Sequence, residues 1–184
     1  ATAVLELLRE LTGGTAGRRV TLLVGAGNNG GDALWAGAFL RRRSVAVTDV
    51  LLNPERAHAE GLAALRRAGG RVSTRLDDPD VVVDGIVGLQ ARGSLRPAAA
   101  ALVEQVDVPI VAVDLPSGVD PNTGAVDGPA VRAAMTVTFG ARKPVHVLNA
   151  AHCGEVRLVD IGLGPELPDP DLVVLEADDV GYAW

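Results

Sequence analysis

Three short stretches of this 184-residue chain place oxygen-bearing side chains beside glycines, and each follows an apolar run. The first is Val24-Gly25-Ala26-Gly27-Asn28-Asn29-Gly30-Gly31-Asp32-Ala33. The second runs from Val81 through Asp84 to the glycine-bounded segment Gly88 to Ser94, and the third is Asp114-Leu115-Pro116-Ser117-Gly118-Val119-Asp120. Amide carbonyls, carboxylates and hydroxyls are hard oxygen ligands suited to a hard cation, whereas a pyrophosphate loop needs N–H donors. A literal Gly25-x-Gly27-x-x-Gly30 is also present, with Asp49 ~20 residues further on, where the ribose-binding acid of a redox dinucleotide site would stand. Because Val50-Leu51-Leu52 follows Asp49, that carboxylate is expected within a strand rather than at its ligand-facing end, and the ribose role fails. A plainer alternative for the first stretch is a turn at Asn28-Asn29 with Asp32 capping a helix that begins at residue 33.

The elements that must position these residues follow from periodicity. Val4, Leu5, Leu7, Leu8 and Leu11 recur at helical spacing before Gly13-Gly14. A buried strand is expected at about 19 to 25, a helix from Ala33 to Arg43, a strand from Ser44 to Leu52 and a helix over 55 to 68 closed by Gly69-Gly70. The arginines at 41 to 43 suit the negative end of a helix. A short strand at 71 to 75, a strand from Val81, a helix from Pro97 to Val106 and a strand from Pro109 to Asp114 come next. Beyond the Pro/Gly-rich loop 116 to 129, further strands are expected at 136–140, 145–148, 155–161 and 172–175. Near-continuous apolar strands alternating with helices define an α/β fold, a Rossmann-like three-layer αβα sandwich with a mostly parallel, doubly wound sheet, in a single domain over 1–184. Ligands of such sheets bind at the carboxyl ends of the strands, so the three stretches converge on one site.

Composition removes other classes. The net charge is −6 and aromatics make up 3% of the chain, which leaves neither a basic face nor a stacking surface for nucleic acid. No apolar run reaches the ~18 residues of a membrane span and no signal-peptide pattern opens the chain. The single cysteine, Cys153, has no disulfide partner and fits a reducing, cytoplasmic setting. Its neighbour His152 would point to the opposite face of a strand, which argues against a nucleophilic pair. His58, placed on a helix, and His146, placed in a strand, share no metal-ligand spacing with His152. The chain opens on Ala1-Thr2, so the numbering is expected to start inside a longer natural protein.

Gly27-Asn28-Asn29-Gly30-Gly31-Asp32, Asp84 with Gly88 to Gly93, and Asp114-Leu-Pro-Ser117-Gly118-Val-Asp120 together resemble the YjeF N-terminal domain family, in the family's order, from about residue 15 to 165. The characterised activity of that family is NAD(P)H-hydrate epimerase, and its vertebrate member is known as apolipoprotein A-I-binding protein. The resemblance implies an isomerase that interconverts the R and S epimers of hydrated NADH and NADPH in nicotinamide cofactor repair, with a potassium ion as cofactor. Carried over residue by residue, it implies substrate contacts from Asn28, Asn29, Gly30, Gly31 and Asp32, from Gly88, Leu89, Gln90, Ala91, Arg92, Gly93 and Ser94, and from Asp114. It implies potassium ligation by Asn29, Asp84 and Ser117. Implied partners are an ADP/ATP-dependent NAD(P)H-hydrate dehydratase, fused or separate, and a second copy of the chain. Ala33 and Gln90 stand where the family usually has glycine, and the family's helix upstream of residue 1 is missing. Ala33 and Gln90 favour the alternative of a non-catalytic nucleotide-binding or scaffold module, and the intact Asn29, Asp84, Ser117 and Asp114 speak against it.

The chemistry of epimerising a hydrate asks for a group that gives and takes a proton at one ring carbon, a role suited to a carboxyl raised by partial burial. Asp114 is the first candidate, beside Leu115 and Pro116 at a strand end, and Asp32 the second. Asp114 has a structural alternative, holding Ser117 and its loop by hydrogen bonds. Lys143, the only lysine, either meets an anionic group of the site or is an exposed strand-end residue.

Overall fold

A computed structural model describes residues 1–89, 94–170 and 172–173. Helix α1 (Thr2–Thr12) ends at Gly13, whose φ of 72° turns the chain and lets its N–H donate to Arg9 O. There follow β1 (Arg19–Val24), α2 (Asn28–Arg41), β2 (Ala46–Leu51), a 3₁₀ turn at Pro54–Arg56, α3 (Ala59–Arg67), β3 (Arg71–Ser73) and β4 (Val81–Gly85). The second half contains α4 (Pro97–Val103), β5 (Ile110–Val113), β6 (Met135–Phe139), α5 (Val145–Leu148), α6 (Ala150–Cys153), β7 (Glu155–Val159) and a 3₁₀ turn at Gly164–Glu166.

Among the described residues, seven strands form one parallel sheet in the order β3-β2-β1-β4-β5-β6-β7. Alternate strand residues face opposite sides, so a separate core forms on each face of the sheet, and a third small cluster gathers Leu115, Val119, Val145 and Cys153. Val20, Leu22, Val24, Val81, Val83, Val111 and Val113 pack with residues of α1, α2 and α3. Leu23, Val82, Ile110 and Ala112 pack with Ala99 and Val103 of α4 on the other face. This is the expected doubly wound sandwich, and the strand order reverses between β1 and β4, which opens a crevice there.

Several element assignments differ from the sequence reading. Residues 145–148 form helix α5 rather than a strand: Pro144 opens it, and Asn149 N–H donates to Val145 O at 2.9 Å. Helix α2 begins at Asn28, not at 33, so the Asn-Asn-Gly-Gly-Asp stretch is its first turn and Asp32 is not its cap. The helix expected over 55–68 is split, because His58 in extended conformation caps α3 by accepting from Gly61 N–H at 3.1 Å. Cys153 and His152 lie on helix α6, not in a strand, and they are not a pair. His152 Nδ1 meets Asn149 Oδ1 at 2.8 Å, while Cys153 is buried with its thiol pushed up to about 11 by burial. Leu172 and Val173 form no strand, and residues 174–175 lie outside the described residues.

Candidate active site

β1, β2, β4, β5 and β6 deliver their following residues to one edge of the sheet, where they enclose a cavity of about 840 Å³. That is the size of a small-molecule or cofactor site. Asn28, Asn29 and Asp32 line it from α2, Gly88, Leu89 and Ser94 from beyond β4, and Asp114 from the end of β5. All three stretches singled out in the sequence therefore meet. Gln90, Ala91, Arg92 and Gly93 lie outside the described residues.

Gly30 and Gly31 do not line the cavity among the described residues; they let α2 seat closely on its neighbours. A Cβ on Gly30 would come 2.3 Å from Gly25 O, and one on Gly31 would come 2.8 Å from the His58 ring. Gly27 opens α2 at φ 81°. The glycine pattern thus does the backbone work expected of a dinucleotide-type turn, but Asp49 is fully buried and forks onto the Arg66 guanidinium at 2.7 and 2.9 Å. It fixes β2 to α3 and is closed to any ribose. Ala33 likewise faces the protein, against the backbone of Gly85, and does not narrow the cavity.

Beneath the cavity wall, Asn29, Asp84 and Ser117 form one network. Asn29 Nδ2 donates to Val87 O at 2.6 Å, and Val87 N–H donates to Ser117 Oγ at 3.2 Å. Ser117 then donates to Asp84 twice, from Oγ at 2.7 Å and from its backbone N–H at 2.8 Å, and Ile86 N–H adds a third bond at 3.1 Å. Burial pushes the Asp84 carboxyl up to about 6, against the lowering effect of those hydrogen bonds. Asp84 has no ion-pair partner among the described residues, and Asn29 engages only its amide N–H side. An amide oxygen, a hydroxyl and an uncompensated buried carboxylate are a donor set that fits a hard monovalent cation. No cluster of three or more His, Cys, Asp or Glu that could hold a metal ion occurs among the described residues.

At the other end of the cavity, Asp114 takes a left-handed backbone conformation, φ 69°, immediately after β5. That turn carries its carboxylate to β6, where Oδ1 accepts from Lys143 Nζ at 2.5 Å and from Thr138 Oγ1 at 2.9 Å. Lys143 also donates to Thr138 Oγ1 at 2.7 Å and Phe139 O at 3.1 Å. Lys143 is thus a member of the site and not an exposed strand-end residue, its side chain being only 14% exposed. Asp32 lines the same cavity as this pair, and partial burial, reinforced by the negative charge of Asp114, raises its carboxyl above the ordinary aspartate range. Thr138, Phe139 and the cavity-lining Arg56 and Arg96 were not singled out in the sequence. Thr138 carried a faint signal, a hydroxyl interrupting an apolar strand one residue short of the ligand edge.

An open parallel sheet with a crevice at its switch point, a buried oxygen network below the cavity and two carboxyl groups lining it define an α/β protein with a small-molecule-sized site at the carboxyl edge of its sheet. The chain belongs to the family described as YjeF-related protein N-terminus, whose model matches residues 1–145. It is 55% identical over its full length to the bifunctional NAD(P)H-hydrate repair enzyme Nnr of Mycobacterium leprae, of which it spans 39%. It is 42% identical over 88% of its length to the NAD(P)H-hydrate epimerase of Microbacterium testaceum, covering 68% of that protein. The fold is shared with the crystal structure of the yeast protein ynu0, YNL200c, at a TM-score of 0.66 and 23% identity, over 84% of this chain and 72% of that one. The chain therefore spans about two fifths of the length of the bifunctional relatives it matches.

Proposed function

We propose that this chain is an NAD(P)H-hydrate epimerase domain that interconverts the R and S epimers of hydrated NADH and NADPH. The observation that carries the reading is the convergence of Asp32 with the Asp114–Lys143 pair in one cavity at the carboxyl edge of the sheet. In the hydrate, a hydroxyl sits on the ring carbon beside nitrogen. Asp32, which holds its proton above the ordinary range, protonates that hydroxyl; the C–O bond breaks, water leaves, and the nitrogen lone pair forms the C=N bond of a cationic ring. Water then adds to the opposite face and gives its surplus proton to a carboxylate, closing the balance. Asp114, held by Lys143 and Thr138, is the second carboxylate at that carbon and opposes the positive ring with fixed negative charge.

Asn28, Asn29, Gly88, Leu89 and Ser94 are the wall against which the substrate lies. Potassium is part of the proposal, with Asn29, Asp84 and Ser117 as its ligands. When bound it would supply a fixed charge that neutralises Asp84 and stiffens the turn Ile86–Val87 under the cavity. A downstream or separate ADP/ATP-dependent NAD(P)H-hydrate dehydratase that consumes one epimer, a homodimeric state and a cytoplasmic location complete the reading. No helix among the described residues is long and apolar enough to cross a membrane.

Each separated epimer, incubated with the chain and resolved by chromatography, is expected to relax to the same mixture. Asp114→Asn and Asp32→Asn should each lower turnover by about 10²-fold or more, the range for a positioned proton-transfer group. Unchanged turnover in both variants would overturn the assignment.

A further inference from the structure

His146 touches neither the cavity nor the substrate wall, yet it reaches the backbone of both members of the Asp114–Lys143 pair. Its ring is buried, with Nε2 2.8 Å from Asp114 O and Nδ1 3.0 Å from Lys143 N. A carbonyl oxygen can only accept and a backbone N–H can only donate. Nε2 therefore carries the proton and Nδ1 the lone pair, so the ring is the neutral Nε2–H tautomer with both nitrogens committed. It has no free nitrogen with which to act as an acid or base.

We propose that His146 is a positioning residue for the epimerisation, a neutral imidazole that ties the backbone of Asp114 to that of Lys143 and so fixes the contact between their side chains. The inference rests on the epimerase reading. Asp114 needs such a tie, because φ 69° is a left-handed conformation that a residue with a Cβ adopts only when its surroundings hold it there. Its N–H is fixed on Val137 O at 2.8 Å, and His146 fixes its C=O. Lys143 stands on the connection after β6, beyond Gly140 at φ 73°, and its N–H is held by the same ring. Among the described hydrogen bonds, His146 is the one side chain that binds the backbone of both residues. Burial also pushes its imidazolium below the ordinary histidine range, consistent with the neutral tautomer that the hydrogen bonds define.

Two substitutions separate the two bonds. Asn at this position can offer an oxygen near the place of Nδ1 but cannot reach Asp114 O, whereas Gln can bring an amide N–H to the place of Nε2. His146→Asn is expected to lower kcat by roughly 10²-fold, the cost of about 1 Å of misplacement, with KM nearly unchanged, and His146→Gln is expected to recover most of it. A kcat of His146→Asn equal to that of the wild type would overturn the proposal. So would a cooperatively melting His146→Gln that is no more active than Asn. Imidazole ¹⁵N NMR of the unmodified chain at pH 7 gives a test independent of how the variants fold. It should show one histidine, absent from the His146→Gln spectrum or selectively shifted by Asp114→Asn, as the Nε2–H tautomer; an Nδ1–H or imidazolium signal there contradicts the geometry. A wild-type chain without turnover would remove the reaction, and this role with it, while the tautomer stayed as observed.

Discussion

Asp32 and Asp114 are chemically alike, and their surroundings make them different. Asp114 has Lys143 and Thr138 on one carboxylate oxygen, whereas Asp32 has partial burial and a like charge as its strongest influences. The folded chain holds the Asp32 proton more tightly than the unfolded chain does. Its favourable contribution to folding is thus fully present below the ordinary aspartate value of about 4 and is lost as the pH rises through the raised value. Asp32→Asn should therefore gain in urea midpoint relative to the wild type at pH 7 and show little or no gain at pH 3. The same variant loses turnover, so stability and activity move in opposite directions, as expected of a residue kept for function. An equal effect on the midpoint at both pH values would contradict the assignment. Both carboxyl groups were legible in the sequence, Asp32 from its place beside Gly30-Gly31 and Asp114 from its place at the end of a strand. Their division of labour was not, because it depends on Lys143, which reaches Asp114 across 29 positions of chain.

At the scale of elements, the sheet and its edge were readable because unbroken apolar runs leave few alternatives to buried parallel strands. Two of the misread elements show the physical reason most clearly. Asn28 to Asp32 carries poor helix formers and two glycines, but the chain needs those glycines to bring α2 against Gly25 and His58, and packing overrides propensity. Val145 to Leu148 looks like a strand by residue type, yet Pro144 and the docking of His146 under Asp114 wind it into a short helix. Ala33 illustrates how a family departure can mislead. The resemblance leads one to expect glycine there, but the methyl packs on Gly85 inside the core, away from the cavity lining. Ala33→Gly should lower stability by about 1 kcal/mol through helix propensity and lost packing, while KM for the hydrate stays as it was. A marked fall in KM would show that Ala33 restricts the substrate after all.

At the scale of the whole molecule, the strand order places the oxygen network at the ends of β1, β4 and β5 beside Asp32 after β1 and the Asp114–Lys143 pair after β5 and β6, so the oxygen network and the ionisable groups share one edge. If the network takes potassium, the melting temperature should rise with KCl relative to choline chloride at equal ionic strength, following ordinary ligand linkage. That dependence should vanish in Ser117→Ala, measured by scanning calorimetry; equal melting curves in the two salts would remove potassium from the account. The most direct test of the central claim is to incubate one pure epimer of hydrated NADH with the chain in ¹⁸O-labelled water and follow both configuration and mass. Loss and return of water at the ring carbon predicts accelerated formation of the other epimer, with one solvent oxygen in each molecule that has inverted. An epimer that keeps both its configuration and its original oxygen, at the rate seen without protein, would contradict the account.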